Sequence, residues 1–128
     1  MSKKVLQVID TAYRCTIEEQ DDPVVWITHA MKGAGADLDL LLRGNSVNYA
    51  VKGQDAAGLS FGARRQTQPP RLERDLARLN EKGVAVYLVQ EDAAERGIDA
   101  SDLIEGIETV SRSSVARLFA NYDQIWHW

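Results

Sequence analysis

Cys15, the adjacent pair Glu91 and Asp92, the pair Arg64 and Arg65, and His29 are the side chains whose types and settings invite chemistry. Cys15 follows Arg14, and a thiolate gains nucleophilicity where a cation stabilises it, so Cys15 is a candidate nucleophile or sulfur carrier. The plainer alternative is an inert thiol on, or packed under, a loop. Glu91 and Asp92 stand where the stretch "VYLVQEDAAERGI" changes from strand to short helix. Two carboxylates in one pocket can be driven to different pKa values and share acid and base duties. Acidic residues in a first helical turn also simply complement its positive end, and neighbours on a helix point in different directions. Thr11 and Gln90, each at the end of a strand, extend this candidate binding crevice.

Arg64 and Arg65 suit an anion or a partner's carboxylate, or else form a solvated pair on a loop. "GLSFGARR" lacks the glycine spacing and the Lys-Ser/Thr ending of a phosphate loop. His29 has no serine or acid in a recognisable motif beside it, so a hydrolase triad has no support. With a single cysteine and two histidines far apart, no metal-ligand spacing is present, and no cofactor motif is found.

Those side chains need positioning elements, and 128 residues suffice for one domain with a real core. A net charge of -4 offers no general field for phosphates, which argues against nucleic acid as a partner. "MSKKVLQVID" runs straight into an alternating strand without a signal peptide's apolar run, and no segment approaches the roughly 20 apolar residues of a membrane span. Cytoplasm is the expected compartment.

"KKVLQVIDTA" reads as a first strand with the nearly continuous apolar character of a parallel sheet covered on both faces. "DPVVWITHAMKGAG" carries helix-start signals, with Asp22 as N-cap and Pro23 at the first helical position. "ADLDLLLRG" is the second strand, and "NSVNYAVKGQ" a short helix capped by Asn45 or Ser46. From Asp55 to Pro70 no period holds, which predicts a long surface loop. "PRLERDLARLNEKG" restores an amphipathic helix, and "VAVYLVQ" is the clearest strand. After it come a short helix, a capped turn, the strand "IETVS", the helix "SSVARLFANY" and the terminal strand "DQIWHW". The alternation predicts a single α/β domain, residues 1–128, with a doubly wound, mostly parallel five-stranded sheet and helices on both faces.

The stretch "LNEKGVAVYLVQEDAAERGIDASDLIEGIETVSRSSVARLFANYDQIWHW", together with "LLLRGNSVNYAVKG", resembles the DsrE/DsrF/DsrH superfamily of TusBCD-like sulfur-relay proteins. The shared features are the "GV" strand entry, the short helix ending in "RGI", the "LIEG" turn and the "SVARL" helix before a closing strand. This resemblance implies a DsrE-like fold and a homo-oligomer, trimeric or hexameric, or a hetero-oligomer with DsrE-like subunits. It also implies persulfide chemistry at a cysteine just after the strand matching "VAVYLVQ". Val89 to Asp92 occupy that place here, and none is cysteine. A carboxylate cannot replace the polarizable thiolate that accepts and releases sulfane sulfur.

The expected function is therefore that of a non-catalytic partner or scaffold subunit in sulfur-relay or sulfur-oxidation machinery, receiving a sulfur-donor protein. A sulfurtransferase-type carrier using Cys15 is the second expectation, and a small-anion or nucleotide-binding protein the third. Trp126 and Trp128 alternate with His127 on the last strand, and tryptophan favours interface hot spots, so these two are candidate interface residues. An aromatic clamp over the protein's own helices is the alternative, and Phe61 and Tyr49 can join either surface.

Overall fold

The computed structural model describes residues 3–14, 22–55 and 57–128. Five strands form one wholly parallel sheet: β1 (Lys4–Ile9), β2 (Asp37–Leu42), β5 (Val86–Val89), β6 (Ile107–Val110) and β7 (Gln124–His127). Their spatial order is β6-β5-β2-β1-β7. β3 (Ser60–Phe61) and β4 (Arg64–Arg65) form a separate antiparallel hairpin inside the span expected to be loop. Strands of two residues have no period, so the pattern of the sequence did not reveal them.

Burial explains β2, whose leucines are poor strand formers. It lies between β1 and β5, and Leu38, Leu40, Leu41 and Leu42 are almost fully buried. A strand covered on both faces is selected by the apolar area it buries. Of its two acids Asp37 is exposed and Asp39 buried, and Asp39 is fully used: Oδ1 accepts the Ala85 N–H at 2.8 Å and Oδ2 accepts the Tyr122 hydroxyl at 2.5 Å.

One face of the sheet packs Ile9, Leu40, Leu42, Val86 and Leu88 against α1 (Pro23–Gly33), α2 (Leu72–Glu81) and the 3-10 helix Gly44–Ala50. In α2, Leu72, Leu76 and Leu79 are buried, at the spacing of a single helical stripe. The other face carries a smaller cluster, Leu6, Val8, Leu41 and Val89, beneath Val115, Leu118 and Phe119 of α4 (Val115–Phe119) and Tyr122. Helices thus cover both faces, as expected.

Asp22 caps α1, its Oδ1 accepting the Val24 and Val25 N–H groups at 2.8 and 3.2 Å. Its Oδ2 accepts the Tyr49 hydroxyl at 2.6 Å, and that hydroxyl oxygen accepts the Tyr13 N–H. Tyr13 has the left-handed φ of 58°, rare for a residue with a side chain, and its ring meets Tyr49 edge-on at 5.3 Å. Tyr49 is fully buried, which excludes it from any surface. Burial, then Asp22, push its phenol well above the ordinary tyrosine range. The short helix after β2 begins at Gly44, with Arg43 as its N-cap residue; the Ser46 hydroxyl oxygen accepts the Arg43 N–H at 3.0 Å. Ser46 is thus a third-position partner rather than the cap itself.

Candidate functional site at the carboxyl edge of the sheet

All five strands point the same way, so the residues following them gather along one edge, where open α/β sheets bind ligands. Each strand delivers a polar group there. In the spatial order of the strands these are Arg112 after β6, Glu91 and Asp92 after β5, Arg43 after β2, Asp10 after β1, and His127 at the end of β7. From Arg112 to Asp10, cation and anion alternate along this row.

Asp10 anchors its β1 end. Oδ1 accepts the Arg43 Nε–H at 2.6 Å, and Oδ2 contacts His127 Nε2. Arg43 Nη2 also lies 3.0 Å from that nitrogen. Nε2 cannot both donate to a carboxylate and accept from a guanidinium. A bare lone pair facing Asp10 would be repelled, so the proton belongs on Nε2 and the ring donates to Asp10. Partial burial opposes the Asp10 charge, but the hydrogen bonds from Arg43 and His127 outweigh it and hold the carboxyl below its usual range.

Asp92 anchors the β5 end. Its Oδ2 accepts the Gly44 N–H at 2.8 Å and its Oδ1 accepts Arg112 Nη2 at 2.6 Å. Burial again works against the charge, while Gly44 and then Arg112 prevail and lower the pKa. Arg112 Nη2 reaches Glu95 as well, at 3.0 Å, and the Arg112 backbone N–H is accepted by both Glu91 oxygens, at 3.0 and 2.9 Å. Gly44 is required between the two halves: its φ is 60°, and a Cβ there would lie 3.3 Å from the Asp10 carbonyl oxygen.

The crevice expected from Thr11 to Gln90 and Glu91 is corrected by this order. β2 lies between β1 and β5, so the two mouths are separated by a strand, and the order reverses between β1 and β7. Thr11 and Gln90 are exposed on either side of the row, and Arg14 is exposed one residue past the Tyr13 clamp. Cys15 lies outside the described residues. Arg64 and Arg65 sit on the hairpin, which is not part of the main sheet. Glu91 and Asp92 hold Arg112 and Gly44 rather than one another. Among the described residues, no group of three or more His, Cys, Asp or Glu side chains is placed to hold a metal ion.

Trp126 and Trp128 wall a cleft of about 510 Å³ with Ile27, Met31 and Gln7, between α1 and the outer strand. The Trp128 indole N–H donates to Gln7 Oε1 at 2.9 Å, and Gln7 Nε2 donates to Thr28 at 2.5 Å. Trp128 therefore clamps the chain's own sheet while staying 44% exposed. His29 bridges α1 and α2: its Nε2 bonds the Asp75 carbonyl and its Nδ1 faces Lys82, each at 2.9 Å. Asp10, Arg43, Arg112 and His127 were missed as site residues. The available signal was a polar residue placed within two positions of the end of an apolar strand.

No helix among the described residues is long and apolar enough to cross a membrane. Solved structures share the fold across the whole chain. The YchN protein of E. coli matches at 20% identity and a TM-score of 0.69, covering 100% of both chains. MTH1491 of Methanobacterium thermoautotrophicum, described as of unknown function, matches at 17% and 0.62, covering 98% of this chain and 99% of its own. BT1422 of Bacteroides thetaiotaomicron, also of unknown function, matches at 13% and 0.64, covering 97% and 94%. No curated protein matches the chain. The family model described as DsrE/DsrF-like matches residues 18–127, nearly the whole sequence, and the chain belongs to that family.

Proposed function

We propose that the chain is an accessory subunit of sulfur-relay or sulfur-oxidation machinery that works by binding, in the cytoplasm, as a homo-oligomer or beside other DsrE-like subunits. The observation that supports this most directly is the occupation of the β5 mouth. Where the resemblance calls for a reactive cysteine, Glu91 and Asp92 tie Arg112 and Gly44 to the strand end. A carboxylate holds no sulfane sulfur, and one engaged in structural hydrogen bonds is not free to serve as a base. The same carboxylates in the first turn of the short helix α3 (Gln90–Glu95) oppose a small anion or nucleotide at its amino end. Exposed Thr11 and Gln90 offer contact surface for a donor protein beside this self-neutralised row.

Intact-protein mass spectrometry after incubation with a persulfidated donor protein tests it, on wild type and Cys15→Ser. The expected result is no gain of sulfur under conditions where a control carrier loads. A Cys15-dependent gain of one sulfur, removed by thiol reductant, would replace this proposal with a carrier. In that step the Cys15 thiolate takes the sulfane sulfur and the donor leaves as its own thiolate, with no external oxidant.

A further inference from the structure

The β3–β4 hairpin projects from the fold, and from Leu59 to Arg65 every residue is exposed. Its two-residue turn, Gly62-Ala63, has a positive φ only at Gly62, the pattern of a type II′ hairpin turn. Phe61 stands opposite Arg64, and Ser60 opposite Arg65. At the base the Gln66 N–H donates to the Leu59 carbonyl at 2.8 Å and the Leu59 N–H to Gln66 Oε1 at 2.9 Å, so Leu59 stands opposite Gln66. Residues opposite each other, and residues two apart, project on the same side of a hairpin. Leu59, Phe61 and Arg64 therefore share one face, and Arg65 lies on the other with Ser60.

Leu59 is 58% exposed and Phe61 57%, so the shared face presents apolar side chains to solvent. Arg64 and Arg65 are exposed and make no hydrogen bond or ion pair with the described residues. From Ala57 to Leu72 the chain holds three arginines and no carboxylate, although the whole protein carries a net -4. An anionic surface is thus attracted to this one projection and repelled by the chain as a whole, which orients the approach.

From this charge complementarity we propose that the hairpin docks the protein on the surface of an anionic lipid bilayer. Such a surface presents hydrocarbon beneath a layer of phosphate, and the hairpin carries the matching chemistries side by side. Phe61 and Leu59 enter the acyl boundary, while Arg64 and Arg65 stay at the level of the headgroups, their long side chains spanning the difference in depth. A convex tip with a small Gly-Ala turn needs no matching pocket in its partner, which favours a deformable lipid surface over a protein. The hairpin is ordered before contact, so docking costs little conformational freedom. Attachment through so few side chains is peripheral and reversible. The contact goes beyond the sulfur-relay reading and does not depend on it; in the cytoplasm it places the chain at the inner leaflet, whose surface is negative.

The test is co-sedimentation of the full-length protein with vesicles of equal parts phosphatidylglycerol and phosphatidylcholine, and with vesicles of phosphatidylcholine alone. Arg64→Glu/Arg65→Glu and Leu59→Ser/Phe61→Ser are compared with wild type, with circular dichroism to confirm folding. Wild type is expected to sediment with the anionic vesicles, to stay in solution beside the neutral ones, and to be released as salt rises. Each double variant is expected to bind at least about tenfold more weakly, because the cations and the inserted side chains contribute separately. A wild type that ignores anionic vesicles, that binds neutral ones equally, or whose binding survives in both variants overturns the proposal. Arginine-dependent retention on heparin without vesicle binding overturns it as well, and assigns the arginines to a soluble polyanion. So does a wild-type oligomer, seen by light scattering, that binds no vesicle and that the variants dissociate; the hairpin is then a contact between copies. Sulfur loading is measured separately and is unaffected by any of these outcomes, so the two proposals fail independently.

Discussion

Asp10 and His127 are 117 residues apart in the chain, and their side chains meet at the carboxyl ends of β1 and β7. The contact fastens the outer strand at the point where the strand order reverses. The Asp10 N–H donates to the Trp128 carbonyl at 3.1 Å, and the Trp128 N–H to the Val8 carbonyl at 2.9 Å, so backbone and side chain close the same seam.

His127→Ala is expected to loosen that seam modestly. The pair is largely solvent-exposed, with 53% and 36% side-chain accessibility, so the loss is about 0.5–1 kcal/mol after screening. Asp10→Ala costs more, because it releases Arg43 as well. Urea midpoints measure both, and equal midpoints for Asp10→Ala and wild type would remove the contact from the account. Tryptophan fluorescence should report fraying of β7, which carries Trp126.

Tyr49→Phe is expected to cost about 1–3 kcal/mol, since it removes a donor from buried Asp22 and an acceptor from the Tyr13 N–H. The same hydroxyl holds both Tyr13 and Asp22, the two ends of the segment that contains Cys15. Urea midpoints measure the loss, and equal midpoints for Tyr49→Phe and wild type would remove the hydroxyl from the account.

Gly44→Ala is expected to destabilise by about 1 kcal/mol or more. The left-handed φ disfavours any side chain, and the new Cβ would press on the Asp10 carbonyl. Asp92→Asn retains the shape of the acceptor for the Gly44 N–H but loses the charge facing Arg112, so it should cost less than Asp92→Ala. Chemical denaturation of the three variants tests that ranking.

Acid should expose the two anchoring carboxylates. Asp10 and Asp92 both have folded-state pKa values below the unfolded value of 3.8. Between those values the unfolded chain binds more protons, so stability rises with pH there. Their contribution is complete above the ordinary carboxylate range and is lost as pH falls through the lowered values. Unfolding free energy followed downward from pH 6 should fall less steeply in Asp10→Asn/Asp92→Asn than in wild type. Parallel acid limbs would contradict the lowered pKa values.

What the sequence by itself determined was local. Asp22-Pro23 announced α1, the Leu72, Leu76 and Leu79 stripe announced α2, and "VAVYLVQ" announced β5, because capping, helical period and apolar runs are properties of neighbouring residues. The alternation of strands and helices gave the α/β class for the same reason. Tertiary structure decided which strand ends are neighbours. β2 separates β1 from β5, so Thr11 and Gln90 do not share a mouth, and β7 beside β1 brings His127 to Asp10. It also fixed the roles of Glu91 and Asp92, whose hydrogen-bond partners, Arg112 and Gly44, are distant in sequence. Strand order depends on how the crossover helices bury their apolar faces across the whole sheet, and that global choice leaves no mark at any one residue.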